Sequence, residues 1–176
     1  MTCKTPSQDW SSLGAARHRE TGQTPSGNRA IRANVEQLTD GRTLQVALTG
    51  TSNSVLARGF SAGIETHPNV GRLLNKSVGA SGSVAIAAHM HDLSLGGFQY
   101  LFVDYCVNEA YFVDNGYEEI ENVYRHMASL IDFAVRQGCL PVLVNLPTLH
   151  AVGQDMPVPA MLQQEFTARG VPMFDA

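Results

Sequence analysis

Between Leu44 and Phe174 short apolar runs alternate with segments of helical period, and this rhythm restricts the fold more than any other feature of the chain. Leu44-Gln-Val-Ala-Leu-Thr49, Arg72-Leu-Leu-Asn75, Phe98-Gln-Tyr-Leu-Phe-Val-Asp104, Pro141-Val-Leu-Val-Asn145 and Val171-Pro-Met-Phe174 read as five strands. Continuous apolar runs of this length fit strands buried on both faces. Helical stretches are expected from Asn53 to about Phe60, over Ser83–Leu93, over Tyr117–Gln137 and over Ala160–Ala168. The third is the clearest. Ile120, Val123, Tyr124, Met127, Leu130, Ile131 and Ala134 recur at three- and four-residue steps, and Gly138 is placed to end the helix. Glu118, Glu119 and Glu121 suit its positive N-terminal end. Alternation of this kind requires parallel strands joined by right-handed crossovers, with helices on both faces. The expected fold class is α/β, a three-layer, doubly wound five-stranded parallel sheet.

The 176 residues suit one domain, large enough to bury its core without a disulfide or a metal. Residues 1–40 are expected to be a flexible or irregular lead-in, because Thr21–Asn28 is dense in turn formers and only Ala30–Leu38 could form a short helix. The domain proper is expected over 41–176. A net charge of -4 without a basic run disfavours nucleic acid and anionic membrane surfaces as partners. No apolar stretch approaches the roughly 18 residues of a spanning helix. Met1–Arg19 lacks the apolar centre of a secretory signal. Cys3, Cys106 and Cys139 have no metal-ligand spacing, and their odd number fits a reducing, cytoplasmic setting. Cys106 and Cys139 lie inside apolar segments and are expected to be buried thiols.

Open parallel sheets carry their chemistry in the crevice beyond the carboxyl ends of the strands. Three segments occupy that position: Gly50–Ser54, Ser77–Gly82 and Asp104–Glu109. In Thr49-Gly-Thr-Ser-Asn-Ser54 a glycine permits a tight turn, and small hydroxyl residues follow at a helix N-terminus, where free N–H groups stabilise negative charge. Ser52 can be a nucleophile aimed into the crevice; Thr51, Ser52 or Asn53 can equally serve only to cap the helix. Gly79 can present a backbone N–H to an oxyanion, or belong to an ordinary turn. Asn108 follows the third strand, where its side-chain amide can donate to the same oxyanion or simply shape a loop. Glu109, next to it, can orient Asn108 or line the pocket. The ordered set raises each member above its own signal.

Gly50-Thr-Ser-Asn-Ser54 resembles the nucleophile block of the SGNH (GDSL-type) hydrolases, with threonine where aspartate is usual. Gly79 stands where that family has its second-block glycine, and Asn108 where it has its third-block asparagine. The resemblance spans Leu44 to Ala176 and implies a flavodoxin-like or SGNH-hydrolase-like sheet. It implies an ester hydrolase or O-acyltransferase acting on small-molecule or carbohydrate esters, with no cofactor. Ser52 would be the nucleophile, and Ser52 N–H, Gly79 N–H and the Asn108 side chain the oxyanion hole. The family's Asp-x-x-His block, which supplies the general base, is not found before the chain stops at Phe174-Asp-Ala176, and Asp175 is not assigned its role. The expectation is a chain truncated ahead of that block, or a binding protein that has lost turnover. Of the six histidines, only His150, beyond the fourth strand, stands as an internal substitute; His18, His67, His89, His91 and His126 do not.

Two rivals use a similar sheet. A flavodoxin-like module would cradle the phosphate of FMN in Leu48–Ser54 and flank its ring with Tyr105 and Tyr111. A phosphate-accepting signalling domain would use Asp104, but no acidic pair ends the first strand.

Overall fold

A computed structural model describes residues 43–56, 59–146 and 156–175. The strands are β1 (Leu44–Gly50), β2 (Val70–Asn75), β3 (Tyr100–Asp104), β4 (Leu140–Asn145) and β5 (Met173–Asp175). All neighbours pair in parallel, in the order β2-β1-β3-β4-β5, so the chain reverses its direction of travel across the sheet after β2. The helices are α1 (Ser52–Val55), α2 (Phe60–Glu65), α3 (Ser83–His89), α4 (Cys106–Asp114), α5 (Ile120–Arg136) and α6 (Pro157–Thr167), with a short 3-10 turn over Met90–Asp92. Helices cover both faces of the sheet, as alternation demanded. Expectations for Ala30–Leu38, the 1–40 lead-in and His150 fall outside the described residues.

Burial explains the strand composition. The last five residues of β1 and all six of β4 are buried, as an interior parallel strand requires. β2, at an edge, is only half-covered, and its Arg72 guanidinium lies 4.7 Å over the Phe98 ring. Every apolar residue expected on the inner face of α5 is buried, together with Phe133. The helix ends as the sequence foretold: Gly138 has φ 79°, its N–H bonds the Val135 carbonyl at 3.0 Å, and Cys139 N–H bonds that of Ala134 at 2.9 Å. Tyr124 of α5 stacks on Phe166 of α6 at 5.9 Å between centroids. Cys106 and Cys139 are both buried.

Two local expectations need correction. The helix expected from Asn53 to about Phe60 is two short helices, because α1 stops after one turn where Leu56 turns extended at ψ 132°. The segment after β3, expected to be a loop, is the start of α4, so Asn108 is a helical residue. The apolar signal of α4 is blurred by Asn108 and Glu109, which bond to the segment of Ser81 and Ser83, and by the exposed Tyr111.

Candidate active site

The first strand ends in a turn held from both sides. Gly50 pairs with Asp104, and Thr51 N–H extends that ladder by bonding the Asp104 carbonyl at 3.0 Å. On the other side, Lys76 N–H bonds the Leu48 carbonyl at 2.8 Å and Val78 N–H bonds that of Gly50 at 2.9 Å. Side chains complete the frame. Ser54 Oγ donates to Asp104 Oδ2 at 2.7 Å, and Asn75 Nδ2 donates to the Ser54 carbonyl at 2.7 Å. Thr51 and Ser54 are fully buried, whereas Ser52 between them is exposed at the start of α1. Thr51, the N-cap residue, makes no side-chain cap bond, so capping does not account for it.

Sheet order places the ends of β2 and β3 on either side of β1, and hydrogen bonds stitch the three loops into one unit. The first and second are joined by Val78 to Gly50, the first and third by Thr51 and Ser54 to Asp104. Asn108 Nδ2 joins the third to the second by donating to the Ser81 carbonyl at 2.8 Å. Gly79 lies exposed in the second loop, and Asn108 is half-buried in the first turn of α4. Ala80, directly after Gly79, has φ 56°, a left-handed conformation that a side chain with a Cβ rarely takes. The hydrogen-bonded unit thus brings the loops of Ser52, Gly79 and Asn108 together on one edge.

Acidic groups beneath this edge are deprived of water. Burial raises the pKa of the Asp104 carboxyl above the usual carboxylate range, against the opposing pull of the Ser54 hydroxyl. Among the described residues its Oδ1 has no hydrogen-bond partner, nor has Thr51 Oγ1 or Ser77 Oγ. Burial also raises Glu109, against the opposing hydrogen bonds from Ser83. The Tyr105 hydroxyl, 3.0 Å from Thr49 Oγ1, is pushed up to about 12 by the same cause.

These shifts fix the sign of a pH effect. A carboxyl with a raised pKa in the folded state keeps a proton that the unfolded chain has released, so its contribution is lost as pH rises through the folded value. Melting temperature should therefore climb as pH is lowered from neutral toward the ordinary carboxylate range of about 4. The double variant Asp104→Asn, Glu109→Gln should flatten that climb, as read by thermal scans at each pH.

None of the described histidines is placed at Ser52. His67 precedes β2, His89 is the last residue of α3 and His91 lies in the 3-10 turn after it, all at the amino edge of the sheet. His67 Nδ1 accepts from Asn69 N–H, His89 pairs with Asp92, and the His91 ring meets Phe133 edge-on. His126 reaches the carboxyl edge, where its Nδ1 lies 3.5 Å from Ser83 Oγ, near Glu109. Sequence reasoning placed His126 on α5 but had no means of seeing that it meets the start of α3. Among the described residues, no cluster of three or more His, Cys, Asp or Glu side chains could hold a metal ion, and no helix is long and apolar enough to cross a membrane.

Solved structures supply the comparison. A protein assigned to the G-D-S-L lipolytic family from Desulfitobacterium hafniense superposes with a TM-score of 0.58 at 13% identity, over 74% of this chain and 76% of that one. The psychrotrophic esterase EstA from Pseudoalteromonas sp. gives 0.58 at 8% identity, over 75% and 76%. A GDSL-like lipase from Bacteroides thetaiotaomicron gives 0.55 at 12% identity, over 85% and 78%. The chain has the fold of the SGNH hydrolases. Within that SGNH-type fold the turn bearing Ser52 follows the first strand, next to the point where the strand order reverses. No protein-family model and no curated protein matches the chain.

Proposed function

We propose that the protein is an SGNH-type serine ester hydrolase. Ser52 Oγ attacks the acyl carbonyl as its proton passes to a base, and the alcohol leaves with a proton to give an acyl-serine. Water then releases the acid; an acceptor alcohol in its place makes the same chemistry an acyl transfer. Ser52 N–H, Gly79 N–H and Asn108 Nδ2 hold the developing oxyanion, where such donors are worth about 3–4 kcal/mol each. The base is an imidazole outside the described residues, the segment that contains His150 being one source. The observation that carries this reading is the exposed Ser52 on a turn tied by hydrogen bonds to both neighbouring loops.

Labelling by a fluorophosphonate probe tests it. The expected result is one adduct, mapped by mass spectrometry to Ser52 and missing from Ser52→Ala; labelling of both proteins alike would sink the reading. His150→Ala separates the sources of the base, since undiminished labelling places it elsewhere.

The rim favours an apolar acyl group. Val55 stands three residues beyond Ser52 on its helical turn and Leu56 follows where α1 ends; they are 50% and 60% exposed. Val78, 57% exposed, follows the strand next door. Apolar side chains left in water beside a nucleophile are positioned to cover an alkyl chain. At about 0.8 kcal/mol per buried CH2, kcat/KM should rise by about tenfold from p-nitrophenyl acetate to the butyrate. A preference for acetate would contradict an alkyl-binding rim.

The flavin alternative finds less support, since Tyr105 is buried against Thr49 and cannot flank a ring. Asp104 is likewise sealed beneath Ser54, which disfavours a phosphate acceptor there.

A further inference from the structure

We infer that Glu109 is a positioning residue that sets the geometry of the oxyanion donors by clamping the loop of residues 78–83 to α4, an inference that rests on the esterase reading. Its carboxylate is 1% exposed and accepts the backbone N–H of Ser83, the residue that opens α3. The contact crowds the neighbouring position: a Cβ on Gly82 would lie 3.0 Å from Glu109 Oε1 and 3.0 Å from the Phe112 ring. One residue earlier on the same helical turn, Asn108 Nδ2 holds the Ser81 carbonyl. Ser81 Oγ in turn donates to the Val78 carbonyl at 2.6 Å, closing the loop on itself.

Between these anchors sit Gly79 and the left-handed Ala80. A strained residue persists only where its surroundings over-determine it, and here three bonds in succession do so. Burying a carboxyl group is costly unless it is hydrogen-bonded, and the Ser83 N–H supplies that bond. The consequence is that Gly79 N–H and Asn108 Nδ2, from segments 29 positions apart in the chain, behave as parts of one rigid piece. Oxyanion donors act only if they are aimed before the charge appears, so release of the Ser83 bond would misaim Gly79 without touching substrate contacts elsewhere.

The test uses the full chain with p-nitrophenyl butyrate, comparing wild type, Glu109→Ala, Glu109→Gln and Ser52→Ala, with amide hydrogen exchange at Ser83 as a second readout. Glu109→Ala should lower kcat by about ten- to a hundredfold, leave KM within about threefold, and accelerate exchange at Ser83. Glu109→Gln, whose side-chain carbonyl can still accept the Ser83 N–H, should keep kcat within about threefold of wild type and keep Ser83 protected. Should Glu109→Ala fail to fold, Glu109→Asp retains the carboxyl group but falls short by one methylene; it should lower kcat and expose Ser83 while Glu109→Gln does neither. The clamp is overturned if Ser83 exchange accelerates with kcat unchanged, or if Ala and Gln variants lose activity equally. Wild-type turnover in Ser52→Ala would instead remove the esterase reading itself, and so marks a different failure.

Discussion

Replacing Ser52 by alanine should lower the rate of ester hydrolysis by at least about a thousandfold while leaving the melting temperature within about a degree of wild type. The kinetic loss is large because an alanine cannot form the acyl intermediate, and the donors that remain give only the residual acceleration of a preorganised site. The small thermal effect follows from exposure. Ser52 Oγ stands outside the hydrogen-bonded frame, which is built from Thr51, Ser54, Asn75 and Asp104. Measurement of kcat with p-nitrophenyl butyrate beside a thermal scan gives both numbers. A loss of stability alongside the loss of rate would mean that Ser52 belongs to the frame rather than to the chemistry.

Gly50→Ala should have the opposite profile, destabilising the fold by about 3 kcal/mol and lowering the melting temperature by roughly 10 °C. A Cβ at this position would lie 2.6 Å from Ser54 Oγ, 2.7 Å from the Asp104 carbonyl oxygen and 2.8 Å from Asp104 Cβ. Two of those atoms belong to β3 at its junction with β1, so relief requires the strands to separate at the Gly50–Asp104 pair. The bonds most exposed to that separation are Thr51 N–H to Asp104 and Ser54 to Asp104, which hold the turn bearing Ser52. Activity per folded molecule should therefore fall as well, and chemical denaturation with a matched kinetic assay measures the two effects. A variant as stable as wild type would show that the close approach at Gly50 is dispensable.

The sheet could be read from the sequence because its causes are local. Buried strands such as β4 are unbroken apolar runs, and α5 carries its buried face at helical spacing with a glycine at its end. The position of Ser52 at a strand end was legible for the same reason, from Gly50 and the small polar residues after it. What could not be read depends on contacts between segments far apart. Nothing near Asn108 signals that it is helical, since its helix is anchored by Glu109 reaching Ser83 rather than by an apolar stripe. The bond between Ser54 and Asp104 joins residues 50 positions apart, and that between Glu109 and Ser83 spans 26. Periodicity carries no information about such pairs. The break after α1 was likewise invisible, because Leu56 leaves the helix through backbone geometry rather than through a residue that forbids it.

The strand order has a bearing on how the protein comes into being during synthesis. β1 is made before β2, yet its second neighbour is β3, and the intervening residues must be bridged before that pair can form. Pairings of this separation are slow to close, because chain entropy is lost before any bond compensates for it. The edge that holds Ser52 cannot assemble until the ribosome has released the chain past Glu109, because the bonds that tie it together reach Asp104, Asn108 and Glu109.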